Sequence, residues 1–208
     1  MREMVLASRC PLRIDGSGGV DRRAAAFSTL ADETLMSRFR DGDADAFEVL
    51  YRRHRAGLHR FARRLAPNDA DEIFQDVWLA VIKGKRRYVP TARFVTYLFT
   101  IAHHRAVERL RKRGHMPILE TSDGDEGFVA QDENLDPLGS AVNAELGRAL
   151  GEAIDLLPLA QREAFLMQAE GGLSLEEIAE ASGTSRETVK SRLRYASRKL
   201  RRALEMWK

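Results

Sequence analysis

One cysteine, Cys10, stands among 208 residues, so no disulfide can close within the chain, and this usage fits a reducing compartment. Nothing approaches the roughly 20 apolar residues that a spanning helix needs. The longest such stretch, Phe94 to Ala102, is far shorter. The opening MREMVLASRCPL has too short an apolar run for a secretory signal, and Arg9 directly before Cys10 spoils a lipoprotein-type cleavage site. The expectation is a cytoplasmic protein without membrane insertion. HExxH, CxxC and a phosphate-cradling glycine loop are missing as well. The histidines do not repair this: His54 and His59 fall on different helical faces, His103 and His104 are adjacent, and His115 stands apart. The acid pairs Asp69/Asp71 and Glu176/Glu177 sit at expected helix starts, where the macrodipole already favours them. The chain therefore reads as a non-enzyme with no cofactor and no metal.

Hydrophobic residues make up 44% and charged residues 31%, enough apolar surface for packed cores and too much for a wholly disordered chain. The net charge of +3 hides a segregation. Residues 33–113 carry 18 basic and 10 acidic side chains, whereas residues 114–147 carry 8 acids and no Lys or Arg. Residues 148–208 turn basic again, 11 against 9. Two cationic blocks thus flank an anionic strap. Such blocks suit a polyanion, because each neutralised phosphate releases condensed counterions.

Apolar periodicity predicts helices and no strand. Phe47, Leu50, Tyr51, His54, Leu58, Phe61 and Leu65 recur at steps of three and four, which defines one core-facing stripe that Pro67 and Asn68 end. Asp69 is placed to cap the next helix, whose stripe is Ile73, Val77 and Val81, with Asp71, Glu72, Gln75 and Asp76 largely off it. A basic loop, KGKRRYVPTAR, leads to a helix through Phe94, Leu98, Ile101 and Ala102 that loads Arg and Lys toward its end and stops at Gly114. Residues 114–140 hold four Gly, two Pro and a string of acids without periodicity, the pattern of a flexible acidic linker. Helices resume over 142–157, 159–169, 175–181 and from Arg186 to about Met206. The organisation is all-α: a leader over 1–31, expected to be disordered, a helical domain over 32–113, the linker over 114–140, and a second helical domain over 141–208.

The stretch from Leu173 to Leu204 reads as a helix-turn-helix. Ser174 and Glu177 form a capping box, Gly183 occupies the turn, Ser185 caps the second helix, and Ile178, Val189 and Leu193 fix the crossing. The second helix is strongly basic. In this motif its early residues reach base edges in the major groove, which makes Arg186, Glu187, Lys190, Ser191 and Arg194 candidates for base or phosphate contacts.

With these parts in order, the chain resembles the extracytoplasmic-function, or group IV, sigma factors of the sigma-70 family. The resemblance runs from about Asp32 to Leu204 and rests on GDADAFEVLYRRH, DADEIFQDVWLAV, YLFTIAHHRAVERLRKR and LPLAQREAFLMQAEGGLSLEEIA leading into TVKSR. It implies that Asp71, Glu72, Gln75 and Asp76 bind core RNA polymerase. Lys85, Arg86, Arg87, Arg93, Tyr97, His103 and His104 would meet the promoter −10 element, and Arg186, Glu187, Lys190, Ser191, Arg194 and Tyr195 the −35 element. The family pattern WLxxIAxNxxxDxxR keeps Leu98, Ile101, Ala102 and Arg111, while Tyr97, His104 and Glu108 replace its Trp, Asn and Asp. Core RNA polymerase and promoter DNA are the implied partners. Control by an anti-sigma factor, by phosphorylation or by abundance all fit, and a DNA-binding regulator acting without polymerase is the competing reading of the residues.

Overall fold

A computed structural model describes residue 27 and residues 29–114 and 141–205, without the side chains of 141–144. The leader up to residue 26, the acidic segment 115–140 and Met206 lie outside the described residues. Among the described residues every regular element is helical. The N-terminal half comprises α1 (Asp32–Arg40), α2 (Ala44–Leu65), α3 (Ala70–Gly84) and α4 (Phe94–Lys112). The C-terminal half comprises α5 (Ala141–Asp155), α6 (Leu159–Gly171), α7 (Leu175–Ser182) and α8 (Arg186–Ala203).

In α2, Asp43 caps the first turn by accepting from the Asp45 and Ala46 N–H groups. The buried stripe that follows includes Leu50, Leu58, Phe61 and Leu65. Phe47 and Tyr51 flank it and meet the Trp78 ring of α3 at centroid distances of 5.7 and 5.1 Å, which joins the two helices through aromatic edges. His54 lies against Asp32, its Nε2 2.7 Å from one carboxylate oxygen, while the other accepts from Arg53. Burial works to raise the Asp32 carboxyl, but hydrogen bonds and charge from His54 and Arg53 outweigh it and hold the group below its ordinary value. One expected cap is absent. Asp69 closes a 3-10 turn, Pro67–Asp69, with φ −122° and ψ 10°, not the extended backbone of an N-cap, and makes no cap hydrogen bond. Its buried carboxylate instead accepts from Arg113 Nη2 at 2.7 Å, tying the start of α3 to the end of α4.

The connection from α3 to α4 begins as a second 3-10 turn, Lys85–Arg87, and is anchored by buried Tyr88. The Tyr88 ring meets Tyr97 and Phe94 edge-on at 5.5 and 6.4 Å. Helix α4 has no side-chain cap of its own, and Glu33 of α1 supplies one: its Oε1 accepts the Phe94 N–H at 2.7 Å. The phenol of Tyr88 is pushed up to about 12, first by burial and then by the nearby Glu33, Tyr97 and Asp32.

In the C-terminal half, α7 carries the expected capping box. Ser174 Oγ accepts from the Glu177 N–H and Glu177 Oε2 accepts from the Ser174 N–H, at 3.2 and 2.8 Å. Gly183 closes α7 at φ +64°, the left-handed conformation that a Cβ disfavours. Ile178, Val189, Leu193, Ala196 and Leu200 are buried in the core that α8 forms with α5, α6 and α7. The two halves also pack on each other, with α2 against α6 and α4 against both α6 and α7.

Two outcomes follow from this packing. Gly183→Ala should lower stability by about 1 kcal/mol in chemical denaturation, because alanine is strained at positive φ. The Tyr88 hydroxyl is buried without a hydrogen-bond partner. Tyr88→Phe should therefore leave the melting temperature unchanged or raise it, and should delete a tyrosine ionising near pH 12 from the absorbance titration. A loss above about 1 kcal/mol would reveal a partner for that hydroxyl.

Candidate nucleic-acid and polymerase interfaces

Helix α8 separates its two faces cleanly. Ser185 caps it by accepting the Thr188 N–H at 3.1 Å, and a flank beside the buried Val189 and Leu193 presents Arg186, Lys190, Arg194 and Arg198 to solvent. Tyr195 is exposed between two guanidinium groups, Arg194 at 5.3 Å and Arg198 at 4.9 Å from its ring centroid. This gives a flat, cationic contact surface. Ser191 is half-buried beside it. Two of the cations already have acids: Arg186 Nε lies 2.5 Å from Glu176 of α7, and Glu187 reaches Arg186 and Lys190 at 3.6 and 3.7 Å. The Glu176 carboxyl is held below its ordinary value, first by its hydrogen bond with Arg186.

A second basic surface forms where α3 turns into α4. Arg86 and Arg87 are exposed, and Lys85 Nζ stands 4.4 Å from the Phe39 ring centroid, a cation–π contact that fixes the turn on α1. Val89 follows at 64% exposure, an aliphatic tip in a cationic setting. Beside it opens a cleft of about 640 Å³ bordered by Asp32, Glu33, Arg53, Pro90, Thr91 and Arg93. The two acids of that cleft are committed to Arg53, His54 and the start of α4, so they hold the walls in place.

The four candidates on or next to α4 divide by face. Tyr97 is half-buried next to the turn and His104 is exposed. Partial burial, then His103 and Arg105, hold the His104 imidazole below its ordinary value, so near neutral pH it is uncharged and offers one donor and one acceptor. His103, one residue earlier, is buried: its Nδ1 faces Glu163 Oε1 of α6. Arg93 donates to Gly172 O at 3.0 Å and pairs with Glu177 at 3.4 Å. In this arrangement both contact the C-terminal half.

The polymerase-facing candidates share one side of α3. Asp71, Glu72 and Gln75 are exposed and Asp76 is partly so. Arg109 of α4 donates to Glu72 and Asp76, and His59 lies 3.3 Å from Asp71. Sequence periodicity missed two neighbours: Leu79 and Ile82 continue this side at 48% and 39% exposure. The signal was available, since both are large apolar residues off the buried Ile73–Val77–Val81 stripe. Among the described residues no group of His, Cys, Asp and Glu could hold a metal ion, and no helix is long and apolar enough to cross a membrane.

Residues 50–116 match the Sigma-70 region 2 family, and residues 147–200 match Sigma-70, region 4. The first match contains α3, the basic turn and α4, and the second contains the helix-turn-helix. The chain is 32% identical over 174 residues to RNA polymerase sigma factor CarQ of Myxococcus xanthus, covering 81% of this chain and 95% of that protein. It is 30% identical over 177 residues to ECF RNA polymerase sigma factor SigM of Mycobacterium tuberculosis (strain ATCC 25618 / H37Rv), covering 84% and 85%. Its fold is similar to that of CnrH in complex with the cytosolic domain of CnrY, with a TM-score of 0.58 at 24% identity, covering 85% of this chain and 99% of that one. With both family matches in chain order and a relative of this identity covered almost whole, the chain belongs to the extracytoplasmic-function sigma factors of the sigma-70 family.

Proposed function

We propose the following division of labour for this sigma factor, whose function is to direct RNA polymerase to promoters and start transcription. The α3 side with Asp71, Glu72, Gln75 and Asp76, extended by Leu79 and Ile82, docks on core RNA polymerase. An exposed apolar pair rimmed by carboxylates is the observation that carries this assignment, because it combines a desolvating centre with a charged rim. Lys85, Arg86, Arg87, Arg93, Tyr97, His103 and His104 meet the −10 element. The cleft beside Val89 accepts an unstacked base while the cations follow the strand. Arg186, Glu187, Lys190, Ser191, Arg194 and Tyr195 read the −35 element from α8. The chain performs no covalent chemistry in this scheme. Melting is driven by capture of unstacked bases, and polymerase supplies catalysis.

An anti-sigma factor belongs to the same reading. A similarly folded protein, the sigma factor RpoE, has been solved in complex with the anti-sigma factor NepR from Bartonella quintana, with a TM-score of 0.56.

Two measurements test the assignments. Asp71→Lys with Asp76→Lys should abolish binding to core polymerase in size-exclusion chromatography while the circular dichroism spectrum stays helical, since exposed ion pairs of this kind contribute only about 0 to 1 kcal/mol to folding. Unchanged binding would favour a regulator that acts on DNA alone. Lys190→Ala should weaken binding to −35 DNA by about 1 to 3 kcal/mol and relax sequence preference there. An equal loss on scrambled duplex would reduce Lys190 to a phosphate contact.

A further inference from the structure

Helix α1 carries none of the assigned contacts, yet it touches the segment from Lys85 to Phe94 at both ends. At the far end Glu33 Oε1 accepts the Phe94 N–H at 2.7 Å, a bond between residues 61 positions apart. At the near end Lys85 Nζ stands 4.4 Å from the Phe39 ring centroid. Lys85 is half-buried there, while Arg86 and Arg87 are exposed. Glu33 and Phe39 lie on one nine-residue helix, about 9 Å apart along its axis. The chain from Lys85 to Phe94 would reach about 30 Å if extended. It is therefore folded into an arch, and α1 is the base on which both of its feet rest.

The crown of the arch is stiffened locally. Thr91 N–H donates to Val89 O at 2.8 Å, closing a three-residue turn about Pro90, whose ring fixes φ in the range that such a turn uses. Buried Tyr88 meets Tyr97 and Phe94 edge-on and holds the near side down. Val89, Pro90, Thr91 and Ala92 are exposed, so where the crown stands depends on how its feet are held. The base is itself fixed. Asp32 accepts from Arg53 at 2.5 Å and lies 2.7 Å from His54, and Arg53 also donates to Leu30 O and Phe27 O at 2.8 and 3.1 Å.

Charge alone gives no reason for an acid at position 33. Glu33 borders the cleft together with Arg53 and Arg93, and a carboxylate there repels a passing phosphate. Its favourable use is the bond to the start of α4, where the helix dipole is positive and no side-chain cap exists within the helix.

We propose that Glu33 and Phe39 are positioning residues for capture of the −10 strand: they hold both feet of the arch, so that the cleft and the neighbouring arginines keep their binding shape before DNA arrives. Strand capture then orders no loop, and the affinity that ordering would consume is retained. The proposal rests on the −10 assignment above, and the test separates the two.

A nitroxide at Val89→Cys, in a Cys10→Ser background, reports the motion of the crown by its electron-spin line shape. Capture is read on chains with Val89 in place, by fluorescence anisotropy with core polymerase. The probe is a promoter fragment whose −10 non-template strand is left unpaired, taken from a promoter that the same holoenzyme transcribes from genomic DNA. Glu33→Ala should sharpen the line shape and weaken capture about fivefold or more, while binding to core polymerase and to −35 duplex stays within about twofold. Glu33→Gln keeps an acceptor oxygen and loses the charge, and should restore both readings. Phe39→Leu keeps an apolar side chain but loses the ring beside Lys85, and should act in the same direction as Glu33→Ala. An unaltered line shape in Glu33→Ala overturns the proposal, and so does a sharpened one with capture unchanged. Tighter capture in both Glu33 variants overturns it too, since Glu33 is then only a repelling charge. Equal losses of capture, core binding and duplex binding mark general unfolding and have the same consequence. Arg86→Ala with Arg87→Ala is the control on the −10 assignment: unchanged capture removes that assignment, and the proposal with it, whatever the line shapes show.

Discussion

The seating of α4 sets the position of the two surfaces proposed for the N-terminal half. Its buried side, Phe94, Leu98, Phe99, Ala102 and Ala106, packs into the N-terminal core, and Phe99 meets Phe61 of α2 edge-on at 5.3 Å. That burial decides where the helix lies, and three polar ties decide its rotation and ends. Glu33 holds its first N–H, Arg109 binds the acids of α3, and Arg113 reaches Asp69. Because the same packed unit carries the basic turn at one end and touches α3 along its length, the surfaces proposed for the −10 element and for polymerase keep a constant relation.

The charges proposed to meet polymerase and promoter DNA are mostly paired within the molecule. Glu72 and Asp76 share Arg109, Asp71 has His59, Lys190 has Glu187, and Arg186 has Glu176. All of these involve at least one well-exposed side chain, where an ion pair contributes little and exchanges readily. The free surfaces are thus quieter than their composition suggests, which limits loose attachment to nucleic acid. A partner with better-placed charges replaces each pair at small net cost. On α8 this also favours specificity, since a phosphate track alone must compete with acids already in position.

Local patterns in the sequence were enough to place most helices, and the distant contacts were not. The α2 stripe, the Ser174–Glu177 box, the Gly183 turn and the Ser185 cap are contained within a few residues, so periodicity and capping preferences express them directly. Helix α1 has nine residues, too few for its buried Leu35, Met36 and Phe39 to stand out as a period. Asp69 looks like a cap by position, yet the competing donor, Arg113, is 44 residues away. His103 and His104 look equivalent as neighbours in a basic stretch. A helix turns about 100° between them, which sends one onto Glu163 and the other into solvent. The contacts between the halves are single side chains 60 to 110 residues apart, and nothing local marks them.

That rotation also lets one helix pack on the C-terminal half and still present the residues proposed for the −10 element. Thr96, Phe99 and His103 recur at steps of three and four, and this edge of α4 meets the C-terminal half: Thr96 and His103 through carboxylates, Phe99 through close approach to Gly171. Tyr97, Ile101 and His104 follow the same steps, displaced by one to two residues, and are less buried. The contact with the C-terminal half therefore uses one edge of α4 and leaves the −10 candidates Tyr97 and His104 on the next, so a single helix divides packing from presentation by a rotation of about 100° per residue.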